Sequence, residues 1–140
     1  MSSVKLVNKF ANFNNINLQS ELFDMKIPNK KYLIKDNSGV FTFGSIEQLS
    51  GKYKKFINYL IRNKPQIVIH TEPCEELYDT NVLNDYLAFK FQNKRGYSSG
   101  LIEYLKKKEK QKKIRILKIK RLYFGSLFME GYNHICWKPL

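Results

Sequence analysis

The stretch GKYKKFINYLIRNKPQIVI, residues 51–69, decides the fold class. Asn63-Lys64-Pro65 ends a helix, because proline cannot continue one. The β-branched run Ile67–Ile69 then has the character of a buried strand. The apolar residues before the break recur at the i, i+3, i+4, i+7 spacing of an amphipathic helix, predicted from about Leu49 to Ile61: Tyr53, Phe56, Ile57 and Leu60.

Shorter elements are predicted before this stretch. Residues 4–11 favour a short helix, which the asparagine-rich segment 12–17 ends. Two strands and a short apolar run follow: Glu21–Ile27 and Lys31–Lys35, separated by a turn at Pro28-Asn29-Lys30, and then Val40–Phe43.

Two helices are predicted after it. Asp79 or Thr80 offers an N-cap for the first, and Gly96 ends it. Its apolar stripe is expected to face the core: Leu83, Leu87 and Phe91, flanked by Val82 and Tyr86. The second helix is marked by three apolar residues: Tyr97, Leu101 and Leu105.

The segment Lys113–Leu122 reads as a strand whose alternation changes phase. Ile114 and Ile116 point one way, whereas Leu117 and Ile119 point the other. A β-bulge near this step would reconcile the two phases, and a strand that is apolar on both faces is the alternative.

The tail Leu127–Leu140 holds Phe128, Ile135 and Trp137, which is enough for a partner strand. The predicted order is therefore α-β-β-α-β and then α-α-β-β. This is an α+β chain of two small modules, residues 1–75 and 76–140, joined near Pro73–Tyr78.

The charge distribution points to a polyanionic partner. The formal net charge is +13, and between Lys94 and Arg121 twelve cations face only Glu103 and Glu109. Such a run is often a solvated face, but here it continues from a predicted helix into a predicted strand, which favours RNA or DNA binding. A membrane surface is the lesser alternative, because no basic amphipathic helix with an apolar opposite face is evident. The predicted RNA-binding residues are Lys94, Arg95, Lys106, Lys107, Lys108, Lys110, Lys112, Lys113, Arg115, Lys118, Lys120 and Arg121.

The remaining composition excludes several classes of protein. No apolar run approaches the ~18 residues of a membrane span. Cys74 and Cys136 do not form a disulfide framework, and the N-terminus has neither a secretory h-region nor an arginine-rich transit character. The 21 lysines against four arginines, with 13 asparagines and two alanines, indicate an AT-biased gene.

Three stretches resemble a known family. They are Gly39-Val-Phe-Thr-Phe-Gly44, the helix Asp79–Arg95 of the type D-x-x-L-v-A, and Lys118-Ile-Lys-Arg-Leu122 followed by Glu130-Gly131. In this order they resemble the universal small-subunit ribosomal protein three family, whose body is a type II KH domain followed by a C-terminal α+β domain. In the family the first stretch is a small helix that leads into the KH loop. The resemblance covers Glu21–Leu140 and implies a KH-like module in residues 1–75.

The resemblance also identifies two departures. A KH domain holds single-stranded nucleic acid on a G-x-x-G loop, which here would be Gly44-Ser45-Ile46-Glu47. Glu47 replaces the second glycine and would repel phosphate, so this degenerate loop is not expected to bind RNA in the usual way. The family's paired arginines fall on Ser98 and Ser99, which weakens any role in gripping mRNA.

What remains is a scaffold role without catalysis or cofactor. The implied partners are small-subunit rRNA in the head near the side where mRNA enters, neighbouring ribosomal proteins and, as an open alternative, mRNA itself. The AT-biased composition predicts an organelle-encoded mitochondrial form, and a separately encoded N-terminal piece stays open. A free-standing RNA-binding regulator of similar fold is the runner-up.

Two other kinds of site have candidate residues. A zinc site could be assembled from His70, Cys74, His134 and Cys136, but the spacings are not those of zinc knuckles. A magnesium-dependent nuclease could use the carboxylates of Glu72, Glu75, Glu76 and Asp79. Acids beside a helix start are more often caps, so both groups are expected to be structural.

Overall fold

A computed structural model describes residues 2–29, 31–123, 125–126, 129–130 and 132–140. These residues form a mixed α+β fold, as the sequence predicts. The elements are helices α1 (Ser3–Phe13), α2 (Tyr53–Asn63), α3 (Leu83–Arg95) and α4 (Leu101–Lys110), strands β1 (Gly39–Phe43), β2 (Ile67–Glu72), β3 (Ile114–Lys120), β4 (Gly125–Ser126), β5 (Met129–Glu130) and β6 (Asn133–Pro139), and 3-10 turns at Glu47–Lys52 and Glu75–Leu77.

Four strands form one mixed sheet in the order β1-β2-β6-β3. β1 and β2 are parallel, and α2 lies in the connection between them. β6 pairs antiparallel with both β2 and β3. The strands of the two predicted modules therefore pair in a single sheet, with β1 and β2 from residues 1–75 and β3 and β6 from 76–140. The division into modules stays a prediction.

One face of the sheet packs against α2 and α4 and forms the core. Trp137 and Ile135 of β6 are fully buried there, together with Ile57 of α2 and Leu105 of α4. α2 ends where its sequence predicts, because Lys64 adopts a left-handed conformation before Pro65. The predicted helix near the N-terminus, α2, β2, the break at Gly96 and the partner strand in the tail are all confirmed.

The predicted β-bulge in β3 is also confirmed. The pairing of β3 with β6 shifts between Ile116 and Lys118, so that Leu117 is the extra residue. The backbone N–H of Ile116, beside this shift, donates to Oε1 of Glu109 at 2.7 Å. The bulge lets Ile114, Ile116 and Ile119 share the core side of the sheet.

The two strands predicted at Glu21–Ile27 and Lys31–Lys35 are wrong for the described residues. This segment is irregular, and its polar groups bond to α2 instead of a strand partner. The N–H of Ile34 donates to Oδ1 of Asn63, and the Tyr59 hydroxyl donates to the carbonyl of Tyr32. Lys30 of the predicted turn lies outside the described residues.

The helix expected over the stretch from Gly39 to Gly44 is wrong as well. Residues 39–43 form β1, because Val40 and Thr42 point to the core while Phe41 and Phe43 point away from it. This alternation is typical of a half-buried strand.

Two predictions for α3 are wrong. The N-cap is Val82, and Asp79 instead accepts a hydrogen bond from the N–H of Asn81 before the helix begins. The inward face of α3 carries Asp85, Ala88 and Gln92. The stripe expected to face the core is exposed in the described part of the chain: Val82, Leu83, Tyr86, Leu87 and Phe91.

The second helix starts later than its markers suggest. Tyr97 lies in the loop before α4, whereas Leu101 and Leu105 are buried on it. Of the tail residues singled out in the sequence, Phe128 and Gly131 lie outside the described residues.

Candidate nucleic-acid interface

The cations predicted to bind RNA follow the chain through four elements, and we call residues 94–121 the basic segment. Lys94 and Arg95 end α3, and their charge suits a helix C-terminus. The second half of α4, the tight turn after it and β3 carry the others. Ten of the eleven cations that precede Arg121 are exposed: Lys94, Arg95, Lys106, Lys107, Lys110, Lys112, Lys113, Arg115, Lys118 and Lys120. The eleventh, Lys108, is half-buried and lies over the Tyr104 ring at 4.9 Å.

Arg121, the last predicted RNA-binding residue, makes several contacts within the fold. Its guanidinium pairs with both carboxylate oxygens of Asp85, at 2.6 and 2.7 Å, and donates to the Leu77 carbonyl. It also lies over the Tyr123 ring at 4.6 Å. The guanidinium is therefore committed to holding α3 against the end of β3.

The two acids within the basic segment, Glu103 and Glu109, form no ion pair with its cations in the part of the chain that the structure describes. Glu109 accepts the hydrogen bond from Ile116 at the bulge. Glu103 lies in the first turn of α4, near Gly100. Among the described residues, Arg121 is the one cation of this segment that forms an ion pair, and its partner is Asp85 on α3.

The segment Gly44–Glu47, predicted from the resemblance to be a degenerate KH loop, follows β1, and Gly44 has a positive φ of 54°. The backbone N–H groups of Ser45 and Glu47 donate to the two carboxylate oxygens of Glu72, at 3.1 and 3.4 Å. Glu72 is buried, and burial raises the pKa of its carboxyl, although hydrogen bonds from the loop amides and Thr42 oppose that rise. An internal carboxylate thus occupies the amides that could otherwise face a phosphate. The prediction that this loop does not hold RNA in the usual way gains a physical reason.

The serines at the positions of the family's arginines also have structural partners. The Ser98 hydroxyl lies within hydrogen-bond distance of the carbonyls of Ile46 and Ser50 and shares its single proton between them, and the Ser98 N–H donates to the Glu47 carbonyl. The Ser99 carbonyl accepts from the Tyr53 hydroxyl. These contacts fix the degenerate loop to the segment before α4.

The candidate zinc ligands do not converge. His70 is fully buried on the core face of β2, where burial lowers its pKa to about 3 and its Nδ1 pairs with the Thr42 hydroxyl at 2.9 Å. Cys136 and His134 lie on the other face of the sheet. Cys74 is buried, and burial, together with the nearby carboxylates, raises the pKa of its thiol.

The carboxylates of the acidic cluster have separate structural partners. Glu72 holds the degenerate loop, and Glu76 accepts from the N–H of Ile102 at the start of α4, at 2.7 Å. Asp79 holds the turn before α3. Among the described residues no three histidine, cysteine, aspartate or glutamate side chains are grouped as a metal site requires.

A feature that the sequence interpretation missed is the second face of the sheet, opposite the helices. An apolar groove lies on it, and Phe41 and Phe43 are 63% and 53% exposed. The alternation of Phe41 and Phe43 with Val40 and Thr42 was the available signal. The groove is lined by Phe41, Phe43, Ile69, Thr71, His134 and Cys136.

Comparison with known proteins gives no match to a family model, a curated protein or a solved structure. No helix in the described residues is both long enough and apolar enough to cross a membrane.

Proposed function

We propose that this chain is a structural, RNA-binding constituent of the small subunit of a mitochondrial ribosome. The observation that carries the proposal is the run of exposed cations from α4 through the turn to β3, which form no ion pair with a carboxylate in the described residues. A surface of this kind is stabilised when RNA phosphates replace the missing counter-charges.

The chemistry of the cations suits positioning more than sequence reading. Nearly all of them are lysines, which act as flexible point charges toward phosphate. Contacts of this type fix a protein on RNA without distinguishing bases. The basic segment would accordingly anchor rRNA in the head of the subunit.

The family resemblance supports the ribosomal setting. It implies a KH-like module in residues 1–75, and the amides of the expected loop, Gly44–Glu47, are bonded to Glu72. A protein that has given up this loop and the arginines at Ser98 and Ser99 fits a scaffold role better than mRNA handling.

Neighbouring ribosomal proteins are the second class of partner in the proposal. The outward stripe of α3 offers an apolar contact surface in the described part of the chain, with Leu83 69% exposed. Exposed apolar patches of this kind are typical of protein–protein contacts.

The test is the sedimentation of the tagged chain in a mitochondrial lysate. Comigration with the small subunit in magnesium, and a shift together with that subunit when EDTA unfolds it, is the expected result. Recovery only in particles that lack small-subunit rRNA would refute the ribosomal assignment.

A free-standing RNA-binding regulator is the second candidate, and the well-packed hydrophobic core favours it. Trp137, Ile57 and Leu60 are fully buried by the chain itself, so the fold has a packed interior without RNA. A soluble, cooperatively unfolding isolated protein that is absent from ribosomal fractions would identify this alternative.

A further inference from the structure

The open face of the sheet, the face that α2 and α4 do not cover, joins aromatic rings to lysines in two rows. Strand register places Phe41 level with Ile69, Cys136 and Lys118. It places Phe43 level with Thr71, His134 and Lys120 in the same way. Each row crosses the whole sheet from β1 at one edge to β3 at the other.

The β1 end of the open face is an aromatic surface. Phe43 stacks on the ring of Tyr132, with centroids 4.1 Å apart and planes inclined by 27°. Phe41 lies 6.3 Å from Phe43. Both phenylalanines stay more than half exposed, so their rings can accept another flat group.

The β3 end of the open face is basic. Lys118 and Lys120 are exposed there, and the neighbouring pair Arg115 and Lys138 lies in the next row. None of the residues that the four strands place on this face is acidic. Three strand spacings separate the aromatic from the basic edge, which is roughly 14 Å and within reach of a few nucleotides.

We propose that the open face binds single-stranded RNA, with bases stacked on Phe41 and Phe43 and the phosphates of the same strand on the lysines of β3. Stacking on aromatic rings beside a basic track is how proteins hold unpaired nucleic acid without base preference. Duplex RNA keeps its bases inside the helix and cannot use the rings. The inference rests on the proposed function, since it names the form of RNA that this protein holds.

The first test compares two RNA probes by fluorescence anisotropy, an oligouridylate of about 12 nucleotides and a duplex of the same length. The variant is Phe41→Leu with Phe43→Leu. The matched control is Phe10→Leu with Phe13→Leu, two exposed phenylalanines of α1 that do not line the groove. The groove variant is expected to bind the oligouridylate at least about tenfold more weakly and the duplex unchanged, because only unpaired bases can stack on the two rings.

The second test leaves the protein unmutated. Cys136 is half-buried in the groove, whereas Cys74, the other cysteine, is buried. Saturating oligouridylate is expected to slow maleimide labelling of Cys136 severalfold, and duplex RNA is expected to leave it unchanged. Labelling that neither RNA slows would overturn the inference, as would slowing by an apolar peptide alone.

The outcomes separate this inference from the proposed function. If the groove variant binds both probes like the wild type while loss of the β3 lysines still weakens binding, only the open-face inference fails. If the wild type binds neither probe, the proposed function fails with it.

Discussion

Arg121 and Asp85 form a two-pronged ion pair between the end of β3 and the inward face of α3, with oxygen distances of 2.6 and 2.7 Å from one guanidinium nitrogen. Burial by itself would raise the pKa of Asp85, but the hydrogen bonds from Arg121 and the Asp79 backbone, with the Arg121 charge, outweigh it and lower the pKa. The last cation of the basic segment thus stabilises the fold. Its neighbours along β3 remain available to solvent.

The first prediction separates these two uses of positive charge. Arg121→Ala should lower the free energy of unfolding by about 1–3 kcal/mol, because it leaves the Asp85 carboxylate without its charged donor. Lys120→Ala, one residue earlier and exposed, should change it by less than about 0.5 kcal/mol. Urea denaturation measures both. Equal stability of the two variants would show that the ion pair contributes nothing.

The second prediction concerns Glu72 beneath the degenerate loop. Glu72→Ala removes the acceptor for the Ser45 and Glu47 amides and should cost about 2–3 kcal/mol, whereas Glu72→Gln keeps one oxygen and should cost less. The pKa of Glu72 is raised in the folded state. Its contribution to the free energy of unfolding is therefore full below pH 4.5 and declines as the pH rises through the folded-state pKa. The difference in free energy of unfolding between the wild type and the less stable Glu72→Gln variant should therefore become smaller as the pH rises. Denaturation curves at pH 4 and pH 7 make the comparison, and a widening deficit would contradict it.

The phase change in β3 shows what could be predicted from sequence. A two-residue period has only two faces, so Ile116 and Ile119 cannot share one unless an extra residue intervenes. That inference needs no knowledge of the partner strand. The bulge at Leu117 confirms it.

The face of α3 could not be predicted in the same way. Its apolar spacing favours burial of Leu83, Leu87 and Phe91, but the helix turns Asp85 and Gln92 inward. The Asp85 carboxylate pairs with Arg121, 36 residues away, and Nε2 of Gln92 donates to the Tyr78 hydroxyl, 14 residues away. Long-range partners of this kind leave no local signal, and the open-face groove likewise depends on β6 from the far end of the chain.

The third prediction uses the burial of His70. Its folded pKa is about 3 against about 6.5 when unfolded, so the unfolded chain binds the extra proton between these values. Stability should therefore fall as pH drops below 6.5, with a contribution from His70 of up to about 1.4 kcal/mol per pH unit. His70→Gln, which stays neutral, should show a flatter decline. Three carboxylates with raised pKa add stability as the pH falls, but they are present in both the wild type and the His70→Gln variant: Glu47, Glu72 and Glu75. Parallel pH profiles of the two proteins would contradict the assignment.

The last prediction measures how many phosphates the β3 edge contacts. Each phosphate contact on single-stranded RNA contributes about 0.7 to the slope of log affinity against log salt, and each contact on a duplex about 0.9. Lys118→Gln with Lys120→Gln should reduce the slope for oligouridylate by about 1.4 and weaken binding across all sequences alike. Lys5→Gln with Lys9→Gln removes the same charge from exposed positions on α1 and should leave the slope nearly unchanged. If both pairs lower the slope equally, RNA senses only the net charge, and the basic segment is not a defined binding surface.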